Sequence, residues 1–265
     1  MMEYLMPHIR NVADLVDADT FIDVFGGGGS CTVNARICGH TFERIIYNEL
    51  NTSVASLMAA LSNKETADVW YKTIKDIDIN TTDFSAAKLR RNFLNTSEIS
   101  MKEAVDFTIT NLCSRNVRGR DYSTERAALM NNVVKRLYSM QHYVDGVYVQ
   151  NKNAFDIIDD WGTDPKVLKY IDPPYFPLTR NKTAQRVYKY DWTREDHQRL
   201  VRKLVNCRCW ILSGYDPAEQ GYDDYLPLEE AGAKKVLLKR VALPSSNTIA
   251  GKESTKKNEY IWIKY

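Results

Sequence analysis

Four consecutive glycines, Gly26 to Gly29, follow directly after a short apolar run, TFIDVF, at residues 20–25. Ser30 then begins a stretch with helical spacing that extends to about Ile37. This pattern predicts a strand, a tight turn and a helix. Because glycine has no Cβ, such a turn lets the backbone come close to a ligand, so the turn is also a candidate binding site.

Strands and helices alternate near both ends of the chain. A second apolar run, RIIYN at residues 44–48, ends in Glu49, and a helix is predicted to begin at Asn51 or Thr52. Further strands are predicted at residues 147–149, 167–171, 209–212, 236–241 and 260–263, and further helices at residues 154–159 and 193–205, the last capped by Thr193. This alternation predicts an α/β fold.

Residues 63–143 follow a different pattern. Apolar residues recur there at helical spacing with hardly any strand signal, as at Leu129, Val133 and Leu137. A chain of 265 residues has room for one large core with an inserted subdomain. We therefore expect a main domain formed by residues 1–62 and 144–265, with a helical insertion at residues 63–143.

The glycine turn does not match the common phosphate-binding motifs. It has no Lys-Ser/Thr pair, as a Walker loop requires, and the third glycine of a dinucleotide fingerprint would fall at Thr32. Glu49, at the end of the next strand, can accept hydrogen bonds from ribose hydroxyls. These residues predict a nucleoside-containing cofactor that need not carry a pyrophosphate. The alternative is a turn with a purely structural role.

The tetrapeptide Asp172-Pro173-Pro174-Tyr175 follows the apolar strand VLKYI. Two successive prolines fix φ and remove two backbone donors. The chain therefore leaves the strand with carbonyl groups that form no hydrogen bonds to a neighbouring strand. The Asp172 carboxylate, the Pro173 carbonyl and the Tyr175 ring together suit a planar ligand that carries an amino group. This motif at a strand end predicts a functional site rather than a plain turn.

Basic residues are concentrated in three segments, although 36 Lys and Arg against 34 Asp and Glu give a net charge of only +2. These segments lie at residues 88–136, 180–208 and 234–257. The folded chain can therefore present a positive face to a polyanion, and the alternative is a solvated surface of mixed charge.

The first of these basic segments contains the loop CSRNVRGRDYS at residues 113–123. Arginine can bind phosphate or pair with guanine in the major groove, so a loop this basic suits DNA. The predicted DNA-binding residues are Arg115, Arg118, Arg120 and Tyr122. A solvated charged loop is the alternative.

The five cysteines and four histidines are scattered, with neither paired zinc spacing nor a C-x-x-C motif. We therefore expect reduced thiols and no metal site. No stretch reaches the ~18–20 uncharged apolar residues that a membrane-spanning helix needs. The N-terminus carries charges from Glu3 onward, unlike a signal peptide, so we expect a protein that stays inside the cell and does not bind membranes.

Two motifs in this order, FIDVFGGGGS at residues 21–30 and DPPY at residues 172–175, resemble those of the amino-group DNA methyltransferases. More closely, the chain resembles the phage- and Dam-type adenine methylases. Phe25, Gly27 and Gly29 match the F-x-G-x-G motif of that family. Asn48-Glu49-Leu50-Asn51 resembles the N-D-x-N motif of the family. Three further segments are similar to family segments: NKNAFDIIDDWGTDPKVLKYIDPPY at residues 151–175, Ser213-Gly214-Tyr215, and NEYIWI at residues 258–263. The likeness covers most of the chain.

The resemblance implies a class I, Rossmann-like methyltransferase sheet with a helical target-recognition insertion. It implies transfer of a methyl group from S-adenosylmethionine to the 6-amino group of an adenine flipped out of double-stranded DNA. We expect the protein to act as a monomer and without a metal. We expect it to work in the cytoplasm of a bacterium and to be encoded by the bacterium or by a phage. The implied catalytic residues are Asp172, Pro173, Pro174 and Tyr175, and the implied cofactor-binding residues are Asp23, Phe25, Gly27, Gly29, Glu49 and Asn153.

Three departures from the family pattern keep alternatives open. Val24 replaces a proline, Asn153 replaces an aspartate that accepts from the adenine amino group of the cofactor, and MMEYLMPHI stands where a Gly-Lys segment is usual. Asparagine can still accept a hydrogen bond, whereas the N-terminal difference predicts weaker cofactor binding. The alternatives are methylation of RNA adenine or of a protein glutamine, and a DNA-binding protein without activity. Against glutamine, that family carries Asn rather than Asp at the first motif position.

Overall fold

The computed structural model describes residues 2–93, 98–115, 119–175, 192–242 and 256–265. The strands in these residues are β1 Thr20–Asp23, β2 Arg44–Asn48, β3 Tyr148–Gln150, β4 Val167–Ile171, β5 Trp210–Tyr215, β6 Lys234–Ala242 and β7 Lys256–Lys264. They belong to one sheet in the order β3-β2-β1-β4-β5-β7-β6. β4 is parallel to β1 and β5, β3 is parallel to β2, and β7 is antiparallel to β5 and β6. The predicted α/β class is confirmed.

The helices in the described residues are α1 Met2–Val16, α2 Ser30–Ala35, α3 Thr52–Leu61, α4 Lys64–Ile74, α5 Thr81–Phe93, α6 Met101–Leu112, α7 Thr124–Ser139, α8 Gln141–Val144, α9 Ala154–Trp161, α10 Arg194–Leu204 and α11 Leu226–Glu230. Helices α4 to α8 agree with the helical pattern predicted for residues 63–143. The boundaries of that insertion as a domain stay a prediction. None of the described helices is long and apolar enough to span a membrane.

Polar side chains fix where several helices begin. Asn51, Asn63, Ser100 and Ser123 accept hydrogen bonds from backbone N–H groups in the first turns of α3, α4, α6 and α7 respectively. Thr193 caps α10 in the same way and forms a capping box with Asp196. The first N–H groups of a helix lack an intrahelical partner, so these caps stabilise the helix starts. The starts predicted at Asn51 or Thr52 and at Thr193 are confirmed.

The chain divides into two compact units, of which the first consists of Met1–Phe25, Ile37–Glu43 and Ala154–Tyr265. Its core is built on the central strands and on β7. Phe21, Leu168, Trp210 and Trp262 are fully buried there. Removal of such large apolar side chains from water is the main stabilising contribution.

A lysine lies within this apolar core. Lys169 on β4 is fully buried, and its Nζ donates to the carbonyl oxygens of Trp161 at 2.9 Å and Asp164 at 3.2 Å. Burial lowers the pKa of Lys169 to about 8. The last carbonyl groups of a helix favour a cation, so Lys169 joins the end of α9 to β4.

The second unit consists of Gly26–Arg36 and Arg44–Asn153. Arg91 on α5 joins two other helices of this unit. Its Nη2 donates to Ser53 Oγ on α3 at 3.0 Å, and its Nε donates to Glu103 Oε1 on α6 at 3.1 Å. Because the glutamate is buried, this pairing provides the charge compensation that a buried carboxylate needs.

Some boundaries differ from the sequence predictions, and one helix was not predicted. The strand predicted at residues 20–25 ends at Asp23, and the helix predicted to reach Ile37 ends at Ala35. Helix α1 was not among the predicted elements, although Leu5, Ile9, Val12 and Ala13 are buried along one of its faces. Apolar residues four, three and one apart form the stripe of an amphipathic helix, so the signal was present in the sequence.

Candidate active site

Asp172 lies directly after β4, at the carboxyl end of the parallel strands β1, β4 and β5. Ligands of open α/β sheets bind outside the carboxyl ends of the strands. Pro173 is buried, whereas Asp172, Pro174 and Tyr175 are partly exposed. The motif therefore combines a fixed backbone with polar groups that a ligand can reach.

The carboxyl group of Asp172 has an unusual proton affinity. Burial by the surrounding protein is the largest cause, and together with the negative charges of Glu259 and Asp23 it raises the pKa of Asp172 to about 7, while a hydrogen bond from Tyr170 opposes the increase. Asp23 and Tyr170 are direct partners across β1 and β4, which brings Asp23 to this side of the sheet. A carboxyl group that titrates near neutral pH suits proton transfer near neutral pH.

The Tyr175 ring is supported by a second tyrosine. Its centroid lies 4.5 Å from that of Tyr215 on β5, with 32° between the ring planes. Lys257 Nζ lies 5.3 Å from the centre of the Tyr215 ring. Tyr215 thus holds one side of the Tyr175 ring, and it belongs to the Ser-Gly-Tyr segment in which the family resemblance was noted.

Phe25, which directly precedes the glycine turn in the sequence, contacts Trp192. The Phe25 and Trp192 rings meet edge to face with centroids 5.1 Å apart, and Trp192 also packs on Phe155 at 5.3 Å. Trp192 was not among the predicted site residues, because it belongs to no motif in the sequence. The cofactor-binding role of Phe25 stays a prediction.

The glycine turn lies in the second unit and is fixed by geometry. Gly27 and Gly29 have φ values of 49° and 74°, a left-handed conformation that other residues rarely adopt. Tyr47 Oη donates to the Gly27 carbonyl at 2.7 Å, and a Cβ added at Gly26 would lie 2.1 Å from the Tyr47 ring. A Cβ added at Gly28 would meet nothing within 4 Å. The turn therefore requires glycine at 26, 27 and 29, whereas position 28 faces open space.

These differences predict unequal stability of two alanine variants. Gly26→Ala should lower the free energy of unfolding by ~1–3 kcal/mol, because the fully buried Tyr47 ring must shift. Gly28→Ala is the matched control and should leave the free energy of unfolding within ~0.5 kcal/mol of the parent. Urea denaturation measures both values. Equal stability of the two variants would contradict the steric account of the turn.

Glu49 holds the same turn from the end of β2. Its Oε2 accepts from the Gly27 N–H at 2.9 Å, and its Oε1 accepts from the Asn51 N–H at 2.7 Å. Burial raises the pKa of Glu49, while these backbone hydrogen bonds oppose the increase. Each carboxylate oxygen has two lone pairs, so Glu49 can still accept further hydrogen bonds, such as those from hydroxyl groups.

The loop that carries Asn153 is tied to the end of β2. Asn48 Nδ2 donates to the Lys152 carbonyl at 3.2 Å, and Asn48 Oδ1 accepts from the Lys152 N–H at 3.0 Å. Asn151 Nδ2 donates to the Glu49 carbonyl at 2.6 Å. Asn153 is exposed beside these contacts. Asn151 Oδ1 also accepts from Thr52 Oγ1 at 3.0 Å. Asn151 was missed as a site residue, because its partners lie about 100 residues away in the sequence and leave no local motif.

The arginine-rich loop has a closed base in the second unit. Ser114 and Tyr122 form an isolated β-bridge across its two ends. Arg115 and Arg120 are exposed, whereas Arg118 lies outside the described residues. The fixed base can hold the exposed arginines in one orientation, and their binding of DNA stays a prediction.

Tyr122 also has a structural role in this loop. Its Oη donates to the Ile79 carbonyl at 2.6 Å, and its ring contacts that of Phe84 with centroids 5.7 Å apart. The side chain is partly buried. Tyr122 therefore anchors the loop, and a further contact with DNA stays a prediction.

The thiols and metal-binding side chains offer little further chemistry. Among the described residues, no three His, Cys, Asp or Glu side chains are grouped so that they could hold a metal ion. None of the five cysteines, all of which lie in the described part of the chain, forms a disulfide bond. Burial raises the pKa of Cys113 and of Cys209 to about 11, so the reactive thiolate form of both is rare at neutral pH.

The predicted site residues are divided between the two units. Asp23, Phe25, Asp172, Pro173, Pro174 and Tyr175 belong to the first, and Gly27, Gly29, Glu49, Asn153, Arg115, Arg120 and Tyr122 belong to the second. The fold has the sheet of a class I methyltransferase, with an antiparallel β7, a glycine turn after β1 and an acidic residue after β2.

The chain belongs to the family of D12 class N6 adenine-specific DNA methyltransferases, whose family model matches residues 3–216. It is therefore an adenine-specific DNA methyltransferase, and the resemblance noted in the sequence is confirmed. No individually curated protein matches the chain. Among solved structures, the rRNA methyltransferase aviRa from Streptomyces viridochromogenes is similar with a TM-score of 0.36 and 9% sequence identity, covering 93% of this chain and 76% of that chain.

Proposed function

We propose that this enzyme transfers a methyl group from S-adenosylmethionine to the 6-amino nitrogen of an adenine flipped out of double-stranded DNA. The observation that carries the proposal is the environment of Asp172. This carboxyl group lies at the carboxyl end of β4, has a pKa of about 7 and is followed by the Pro173 carbonyl and the partly exposed Tyr175 ring.

The chemistry requires two acceptors next to the amino group. The lone pair of the 6-amino nitrogen is delocalised into the adenine ring, so the nitrogen is a poor nucleophile. Asp172 and the Pro173 carbonyl accept its two hydrogens, which favours a pyramidal nitrogen with its lone pair directed at the methyl group. Formation of the N–C bond would be balanced by breaking of the S–CH3 bond, with S-adenosylhomocysteine as the leaving group. The methylated nitrogen must also lose one proton, and Asp172 is the group that we propose to accept it.

Tyr175 provides the stacking surface for the target base. In B-DNA the amino group is paired and stacked, so the adenine must leave the helix to reach Asp172. An aromatic ring that is supported by a neighbouring ring and is partly exposed can receive a planar base. Tyr215 fixes Tyr175 in this way, with 4.5 Å between the ring centroids.

The second unit offers groups that fit S-adenosylmethionine. Glu49 retains hydrogen-bonding capacity for ribose hydroxyls, the space at Gly28 is open, and Asn153 is exposed to accept from an adenine amino group. When bound, S-adenosylmethionine supplies an electrophilic methyl group on a sulfonium. Gly27 and Gly29 are the other residues of this unit that we assign to cofactor binding, and Asp23 and Phe25 are the residues of the first unit with the same predicted role.

Calorimetric titration with S-adenosylmethionine tests the proposal against a DNA-binding protein without activity. The proposed enzyme binds the cofactor with one site per chain, whereas the inactive alternative releases no binding heat. Methylation of RNA adenine, or of a protein glutamine, would use the same acceptors on another planar amino group. Comparing DNA, RNA and peptide substrates at equal concentration distinguishes these substrates.

We further propose that the arginine loop reads the DNA sequence. At least one of Arg115→Ala, Arg118→Ala and Arg120→Ala should relax sequence preference, at a cost of ~1–3 kcal/mol at one base pair, without changing S-adenosylmethionine affinity. An arginine that contacts only phosphate would instead weaken binding of all sequences and reduce the salt dependence by about one unit.

The matched control for the loop variants is Lys72→Ala, which removes an exposed cation from α4 of the same unit. Binding and methylation are measured over a salt series for DNA duplexes that differ at single positions. If all three arginine variants behave as the parent does, the loop is not the reader, and the basic segment at residues 180–189 becomes the next candidate.

The remaining assignments concern the setting of the reaction. We propose that one chain acts on double-stranded DNA as a monomer, in the cytoplasm of a bacterium, with a bacterial or a phage gene. The proposed steps use acceptor groups of the protein and require no metal. Analytical ultracentrifugation of the protein with a short duplex tests the stoichiometry.

A further inference from the structure

Glu259 is a buried carboxylate outside the part of the chain that the family model matches. It lies on β7, beyond residue 216, and is 2% exposed. Its Oε2 lies 3.6 Å from Lys239 Nζ on β6. Removing a carboxylate from water is costly even when it is paired, so a carboxylate at this position needs an explanation beyond packing.

The strand register places Glu259 on the face of the sheet that carries Asp172. Tyr170 on β4 is the partner of Ile211 on β5, and Tyr215 on β5 is the partner of Glu259 on β7. Side chains two residues apart share a face of a sheet. Asp172 therefore lies on the same face of the sheet as Tyr170, and Tyr215 lies on the same face as Ile211. Because Tyr170 pairs with Ile211 and Tyr215 pairs with Glu259, Glu259 also lies on this face.

Groups from four strands interact electrostatically with the Asp172 carboxyl group. They are Asp23 on β1, Tyr170 on β4, Tyr215 on β5 and Glu259 on β7, together with Tyr225 before α11. Behind them, Lys239 on β6 pairs with Glu259, and Tyr175 and Lys257 contact Tyr215. Two of these groups are carboxylates, and like charges disfavour a second negative charge nearby. Lys239 compensates part of the Glu259 charge, so it reduces but does not abolish the effect of that charge on the pKa of Asp172.

We propose that Glu259 is a positioning residue for Asp172. The buried negative charge of Glu259, which Lys239 holds in place, keeps the carboxyl group of Asp172 ready to accept a proton from the adenine amino group. The inference rests on the proposed function of Asp172. Proton transfer is most efficient when the acceptor titrates near the working pH, and the charge of Glu259 is one of the causes that raise the pKa of Asp172 to about 7.

The test is the pH dependence of methyl transfer by the full chain. In Glu259→Gln the like charge is removed, so the acid limb of kcat/KM should move about one unit to lower pH. Relative to its own plateau, the rate at about pH 6 should then rise about fivefold. Glu259→Asp keeps the charge, and its acid limb should stay near that of the parent.

Glu219→Gln is the matched control, because it removes the same charge from an exposed side chain that contacts Tyr260 on β7. Its acid limb should not move. If Glu259→Gln is folded and active with the acid limb of the parent, the inference is wrong. If the parent transfers no methyl group at all, the proposed function fails instead.

A measurement on the parent decides the matter if Glu259→Gln does not fold. Carboxyl carbons of Asp172 and Glu259 are followed by NMR through a pH titration, with signals assigned from the Asp172→Asn variant. Coupled groups show a step in each signal when the other titrates. Independent titration of the two carboxyl groups would overturn the inference whether or not the protein is active.

Discussion

Replacing Asp172 by alanine is expected to lower the rate of methyl transfer by at least ~10²–10³. The carboxylate matters chiefly as the amino nitrogen becomes pyramidal and loses its proton, so its removal weakens binding in the transition state more than in the ground state. The rate is measured in single turnover with methyl-labelled S-adenosylmethionine and a DNA duplex.

The fold and the affinity for DNA should change little in the same variant. Asp172 follows the last residue of β4 and is partly exposed, so alanine removes no core packing. Circular dichroism and a DNA binding isotherm provide the controls. Near-parental turnover by a folded Asp172→Ala protein would remove Asp172 from the mechanism.

The Glu49→Ala variant is expected to bind S-adenosylmethionine ~10–100-fold more weakly. This change corresponds to the loss of charge-assisted hydrogen bonds, which contribute ~1.5–3 kcal/mol to the free energy of binding. The loss has two causes. Ribose hydroxyls lose their acceptor, and the glycine turn loses the bond from the Gly27 N–H to Glu49 Oε2. Calorimetry on the folded variant measures the dissociation constant.

Glu43→Ala is the matched control for Glu49, because Glu43 is exposed and precedes β2 instead of ending it. Its dissociation constant should equal that of the parent. In the parent, affinity should fall as the pH falls through the raised pKa of Glu49, because protonation removes the charge that accepts the hydrogen bonds. Unchanged affinity in Glu49→Ala would make Glu49 a purely structural residue.

Local patterns predicted the parts of the fold that depend on neighbouring residues. The apolar runs at residues 44–48 and 167–171 form β2 and β4 with the predicted boundaries. Thr193 caps α10 as predicted, since a cap needs only the residues of one helical turn. The DPPY and glycine motifs could be placed because each follows a strand, and strand ends of a parallel sheet carry its binding sites.

Contacts between distant residues could not be predicted in this way. Lys169 occupies a buried position in β4, and only the carbonyl groups at the end of α9 explain how a lysine can be accommodated there. Glu259 joins the site through the pairing of β7 with β5, which are 40 or more residues apart in the sequence. Sequence spacing does not determine which strands become neighbours. Lys169 therefore had no local signal, and the family-like segment at residues 258–263 did not indicate that Glu259 would lie on the face of Asp172.

The most direct test of the central claim is identification of the methylated nucleoside. Purified protein is incubated with methyl-labelled S-adenosylmethionine and duplex DNA, the DNA is digested to nucleosides, and these are separated by chromatography. We predict label in N6-methyldeoxyadenosine, the nucleoside of N6-methyladenine, from duplex DNA, and loss of that label with Asp172→Ala. Label in another nucleoside, label only when RNA replaces DNA, or no transfer by the folded parent would contradict it.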